Sequence, residues 1–204
     1  MRLVINFGAL LLVLFGAAAP AMADDVITGC DLLAGHPADP DKLGAGASSA
    51  LVKKDLPTAI AVCRRDLGND PENARLRYNL GRVLYYSGQF KEGFAEVSAA
   101  AEQQHRQALF VAGLIYGDGQ AELFEPQPCK ALPLWLEAAR QDHYAARISL
   151  ARNYLRGEYA GCGVDLNAAE MRGFVESAAG ETKSYYESLL VSYLIEQLED
   201  TDQN

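Results

Sequence analysis

The sequence predicts an all-α fold, a solenoid of stacked antiparallel helix hairpins, on three observations. A phrase with helical spacing recurs along the chain. A second phrase, also helical, falls between its copies. Glycine closes the copies at the point where a helix needs a left-handed residue to stop. Self-similarity at a period of 30 to 40 residues is the mark of a repeat architecture, in which each hairpin buries its apolar face only against its neighbours.

The first phrase reads Leu76-x-x-x-Leu80-Gly81-x-x-Leu84-x-x-x-Gly88, then Ala108-x-x-x-Ala112-Gly113-x-x-Tyr116-x-x-Gly119. It returns as Ala146-x-x-x-Leu150-Ala151-x-x-Tyr154-x-x-Gly157 and, without the glycine, as Tyr185-x-x-x-Leu189-Leu190-x-x-Tyr193. Offsets of four, three and four place these residues along one side of a helix, here termed helix A. The tiny residue at Gly81, Gly113 and Ala151 leaves room for a second helix to approach. The second phrase is Ala100-Ala101-Glu102-Gln103-Gln104-His105, repeated as Ala138-Ala139-Arg140-Gln141-Asp142-His143, with a weaker copy at Ala178-Ala179. Each follows a helix B pattern: Phe90, Phe94 and Val97; Ala131, Leu134 and Trp135; Met171, Phe174 and Val175.

From the N-terminus, Arg2, an apolar run from Leu3 to Ala19, Pro20 and Ala21-Met22-Ala23 read as a secretory signal peptide over residues 1–23. Residues 24–54 hold Pro37, Pro40, Gly44 and Gly46 and little periodicity, and read as an irregular lead-in. Pro57 to Leu67 reads as a helix with proline in its first turn. The repeats fill residues 55–198. The last segment, from about Thr182 to Leu198, is an A helix with no B partner, and residues 199–204 form an acidic, frayed tail.

All four cysteines follow the expected cleavage site. An even count in an exported chain predicts two disulfides, with three connectivities open. Cys30 precedes Cys63 by 33 residues, as Cys129 precedes Cys162, about one repeat in each case, which favours those two pairings. Ile27-Thr28-Gly29-Cys30 imitates a lipidation box, but Asp24 and Asp25 separate it from the apolar run. The expected location is therefore the periplasm or outside the cell. A formal charge of −9 gives the chain no general affinity for nucleic acid. No other stretch is long and apolar enough to span a membrane.

Gly88-x-Phe90-x-x-Gly93-x-x-x-Val97-x-x-Ala100 after Leu80-Gly81 resembles a tetratricopeptide repeat. Lys130-Ala131-x-x-Leu134-Trp135-x-x-Ala138-Ala139, with the Tyr116/Gly119 and Tyr154/Gly157 phrases, resembles Sel1-like repeats. The resemblance implies a right-handed solenoid whose A helices line a ligand groove for a protein or peptide in the cell envelope. The chain departs from the pattern at Val164 to Met171, at the extra loop Gln120 to Gln127, and at Pro133, which predicts a late or kinked helix.

Helical offsets from the tiny position predict the residues that face the groove. They are Arg75, Tyr78, Arg82, Tyr85 and Tyr86 in the first repeat, Phe110 and Leu114 in the second, and Ile148, Arg152, Leu155 and Arg156 in the third. The expectation is an apolar middle with Arg82 and Arg152 at its ends. Arginine and tyrosine are enriched at binding hot spots, and guanidinium suits carboxylates on a partner.

No HExxH, GxSxG, GxGxxG or phosphate-loop motif is present. Gly46-Ala47-Ser48-Ser49-Ala50 lacks the last glycine of a nucleophile elbow. His105 and His143 hold the same place in successive repeats, where a turn residue recurs because the repeat does. Zinc needs three or four ligands, so no metal and no cofactor is expected. An interaction module is the first reading; a small envelope enzyme or ligand-binding protein is the alternative.

Overall fold

Polar N-caps open most of the helices. A side-chain acceptor from Thr28, Ser48, Asp55, Asn73, His105, His143 or Asn167 takes an otherwise orphaned backbone N–H in each first turn. The computed structural model describes residues 26–202. Their α-helices are α1 (Gly29–Ala34), α2 (Ser49–Val52), α3 (Leu56–Asn69), α4 (Ala74–Tyr86), α5 (Phe90–Glu102), α6 (Arg106–Asp118), α7 (Pro128–Arg140), α8 (Tyr144–Leu155), α9 (Ala168–Ala178) and α10 (Tyr185–Asp202). No strand occurs among the described residues, and a single bridge pairs Gln120 with Phe124. The expected signal peptide lies outside the described residues.

Helices pack on their sequence neighbours from α3 to α10, most extensively α4 on α5 and α6 on α7. The tiny positions explain why. A methyl group at Gly81 would sit 2.8 Å from Val97 and 2.9 Å from the Gly93 carbonyl oxygen, so α4 and α5 touch backbone to backbone. At Gly113 it would sit 2.5 Å from the Trp135 indole, which fills the α6–α7 seam and donates from Nε1 to the Phe110 carbonyl at 2.9 Å. Apolar burial then runs continuously from Tyr78 to Leu198, with a second cluster around Cys30, Cys63 and Leu80.

Three local expectations need correction. The lead-in carries two short helices, α1 and α2, and is held by side-chain bonds that periodicity does not report. Helix α7 starts at Pro128 and runs through Pro133, since a proline in the helix loses one ladder bond and the buried Ala131, Leu132 and Trp135 hold the turn. Helix α10 continues through the expected tail to Asp202.

Disulfides join Cys30 to Cys63 and Cys129 to Cys162. The first ties the lead-in to α3. With the Cys30 sulfur in a disulfide, no sulfur remains for a lipid thioether. No described helix is long and apolar enough to cross a membrane.

Candidate functional site

The lead-in lies across the A helices and decides which of their residues stay open. Three polar anchors hold it. Asp31, 1% exposed, ion-pairs with Arg75 and accepts from Asn79 Nδ2 at 3.2 Å. Arg82 donates from Nη1 to the carbonyls of Ala34 (2.7 Å) and Gly35 (3.1 Å) and from Nη2 to that of Ala47 (2.9 Å). Arg106 donates to Asp41 from its backbone N–H (3.0 Å) and from Nε (2.8 Å). Gly46 lets the segment fold on itself: at φ +74°, a methyl group there would meet the Gly35 carbonyl oxygen at 2.9 Å.

Three of the expected groove residues are therefore covered. Arg75, Tyr78 and Arg82 are buried under or beside the lead-in. A segment some 40 residues upstream packs on this part of α4. Tyr78 stacks on His105 with ring centroids 5.1 Å apart. Arg82 thus does not mark an end of an open groove.

Four others border one cavity of about 360 Å³, which the buried Tyr78 and Arg82 also line. Tyr85, Tyr86, Phe110 and Leu114 wall it with Val111, and His36 of the lead-in closes one side. The Tyr85 hydroxyl accepts from Gln120 Nε2 at 3.1 Å, so the extra loop after α6 braces the cavity wall. The Phe110 ring stacks on His143 at 4.8 Å. His36 takes the Ala38 N–H on Nδ1, which leaves Nε2–H as its donor. Burial, and then the nearby Arg82 and Lys42, lower the His36 pKa, so this ring is neutral near pH 7.

The third-repeat residues stand apart from that cavity. Ile148 packs against the main core. Arg152 is exposed, with Nε donating to Asn153 at 3.1 Å. Arg156 pairs with Glu158 at 3.0 Å, and Leu155 borders a separate hollow beside residues 157–166. The expected groove is thus not one continuous surface in these residues.

A second cavity, about 430 Å³, adjoins the first across His36, Gln107 and Phe110. Lys42, Lys183, Glu181 and Glu187 stand at its border. On its floor His143 caps α8 through Nδ1, 3.1 Å from Ala146 N, and its Nε2 lies 3.0 Å from Gln107 Oε1.

Asp39, Asp41 and His105 bring ligand-type atoms within 4.8 Å of one another, which sequence reading missed. The chemistry does not suit a metal. His105 Nδ1 accepts the Ala108 N–H as the cap of α6, so the neutral ring carries its proton on Nε2 and has no lone pair there to give. Arg106 already occupies Asp41. What remains is a buried pair, His105 Nε2 to Asp39 Oδ2 at 3.5 Å. Burial pushes the Asp39 carboxyl up to about 7 and the His105 imidazole down to about 4. The trace in sequence was slight: Pro37-Ala38-Asp39-Pro40-Asp41 puts carboxylates in a turn segment, where an Asx-type bond forms from Asp41 N to Asp39 at 2.8 Å.

No protein-family model matches the chain, and no curated protein matches it.

Proposed function

We propose that this chain is an exported right-handed α-solenoid of tetratricopeptide/Sel1-like hairpins that binds a protein or peptide of the cell envelope through its A-helix face. The observation that carries the reading is the cavity walled by Tyr85, Tyr86, Phe110, Val111 and Leu114, an apolar recess that the lead-in borders without filling. A volume of about 360 Å³ suits one or two apolar side chains of a docked segment, and concave recesses of this composition are the usual form of a binding site. The neutral His36 Nε2–H offers a donor at the rim. The anchors at Asp31, Arg82 and Asp41 preorganise the recess, which lowers the ordering cost of binding.

Export is supported by the two disulfides, which persist in oxidising compartments, and by the apolar leader over residues 1–23. The repeat assignment is supported by the sequential packing and by the helix approach at Gly81 and Gly113.

The test is selection from a displayed peptide library on the oxidised protein, with Leu114→Lys as the variant matched for helical content. Peptides with an apolar or aromatic anchor, selected by the wild type and lost by Leu114→Lys, are the expected result. Equal recovery by both places binding elsewhere. Failure to select any peptide, together with binding of small amphiphiles in the same recess, favours the ligand-binding alternative.

A further inference from the structure

We propose that the Cys129–Cys162 disulfide is a thiol–disulfide exchange site, opened by a dithiol in the folded protein, whose reduction frees the loop at residues 157–166 from α7. The Cys30–Cys63 disulfide is inert by comparison. Both pairs span 33 residues, so chain entropy treats them alike and any difference in reactivity comes from their surroundings.

Those surroundings differ sharply. Cys30 and Cys63 are both 0% exposed, inside the cluster that α1 forms with α3 and α4. The Cys30 N–H donates to the buried Asp66 carboxylate at 2.9 Å. A thiolate reaches that bond only after the lead-in has opened. Cys129, by contrast, is exposed, and Cys162 is half-buried on the loop between α8 and α9. Access and thiolate stability are what govern exchange.

The loop is built to come away. Its backbone bonds are short-range, from the Ala160 N–H to the Gly157 carbonyl and from the Cys162 N–H to the Tyr159 carbonyl, both 3.1 Å. A methyl group at Gly157, Gly161 or Gly163 would meet nothing within 4 Å, so the segment is loosely packed along its length. Tyr159 and Leu166 rest it on the core, and Cys162 joins it covalently to α7. The loop walls a hollow of about 420 Å³ with Tyr154 and Thr201, and this hollow widens once the bond is cut.

The two sulfurs have different roles. Cys129 is the second residue of α7, whose first turn has no side-chain cap. The positive end of the helix dipole stabilises a thiolate there, which makes Cys129 the leaving group. A thiolate of the incoming dithiol attacks the Cys162 sulfur. An S–S bond forms to Cys162 as the Cys129–Cys162 bond breaks, and Cys129 departs as thiolate. The second thiol of the dithiol loses its proton and attacks its own partner sulfur in the mixed disulfide. Cys162 is then released and takes up a proton. Two electrons pass to the protein, and the dithiol ends as a disulfide.

The test is reduction of the oxidised protein by dithiothreitol without denaturant, quenched with iodoacetamide and mapped by peptide mass. Cys129 and Cys162 should be alkylated at least about 100-fold faster than Cys30 and Cys63, with helical content retained. Hydrogen exchange at the Ala160 and Cys162 amides should speed up on reduction while that at Ala47 holds. In Cys162→Ser, the free Cys129 thiol should react with iodoacetamide with a pH midpoint below the usual ~8.5. Equal rates for the two disulfides, faster loss of Cys30–Cys63, or reduction only in step with loss of helicity overturns the exchange site. Unchanged loop protection overturns the release, and a midpoint at or above about 8.5 overturns the leaving-group assignment.

Discussion

Replacing Arg82 with methionine separates the two accounts of this residue. As an exposed groove arginine, its loss would cost within about 0.5 kcal/mol, the usual range for a solvated surface position. The structure instead buries it to 5% exposure, with three donated bonds to the carbonyls of Ala34, Gly35 and Ala47. A hydrogen bond to a charged group contributes about 1.5–3 kcal/mol, and an orphaned buried acceptor costs about 1–3 kcal/mol. The three acceptors lie on one segment, so their losses do not add fully. We expect Arg82→Met to destabilise by about 3–5 kcal/mol. Methionine keeps most of the apolar stem, so the loss reports the guanidinium and not a cavity.

The assay is equilibrium urea unfolding of the oxidised protein, with Arg152→Met as the control on an exposed residue at the equivalent A-helix position. Hydrogen exchange at Ala47 N–H, which donates to the Gly35 carbonyl at 2.7 Å, reads the lead-in directly. Its protection should fall in Arg82→Met while protection in α6 and α7 holds. A cost below about 1 kcal/mol, or a cost equal to that of Arg152→Met, refutes the reasoning. The carbonyls would then be hydrated and the lead-in held by its disulfide and by Asp31 and Asp41.

Gly113→Ala should destabilise by about 1–3 kcal/mol and shift the fluorescence of the single tryptophan, because the added methyl meets the Trp135 ring at 2.5 Å. Gln104→Gly should stabilise by about 0.5–1 kcal/mol in the same urea assay, since Gln104 holds φ 65° after α5, where glycine carries no Cβ penalty. Reducing Cys129–Cys162 alone, as Cys129→Ser/Cys162→Ser, should lower stability by about 3–4 kcal/mol for a loop of 33 residues, read as a fall in thermal midpoint. The pH dependence has two signs. Burial, with Arg106 adding to it, holds His143 down at about 4, so the stability from its neutral ring is complete above 6.5 and is lost as pH falls through about 4. Burial raises Asp39 to about 7, so its contribution is complete below 3.8 and is lost as pH rises through about 7. Asp39→Asn should therefore raise the urea midpoint at pH 8 and leave it unchanged at pH 3.5.

The helices were legible because their signals are local. The offsets at Gly81, Gly113 and Ala151 report the face a helix turns to its own hairpin partner, and the Gly81 and Gly113 contacts follow from them. The histidines at 105 and 143 recur because each caps the next A helix. The two disulfides match the repeat-length spacing of their cysteines. The lead-in was not legible, because its order comes from partners far along the chain: Asp31 with Arg75, the 34, 35 and 47 carbonyls with Arg82, and Asp41 with Arg106. Such bonds leave no period in a sequence.

That difference decides the shape of the candidate site. Helical offsets state where a side chain points and are silent on what covers it. Arg82 and Leu114 occupy equivalent positions in α4 and α6, one residue past the tiny residue, and line the same recess, yet only the Arg82 side chain is tied to the lead-in. The covering follows from charge as much as from shape. Three arginines on the A-helix side would repel one another and bind carboxylates indiscriminately if left open. Each is instead matched by the lead-in, two by carboxylates and one by backbone carbonyls. Such matching occupies the Arg82 guanidinium at the recess wall with backbone carbonyls, beside the aromatic lining of Tyr85, Tyr86 and Phe110. Recognition there then depends on shape and apolar contact more than on charge, so binding should tolerate salt. A partner whose affinity fell steeply with ionic strength would have to be held elsewhere on the molecule.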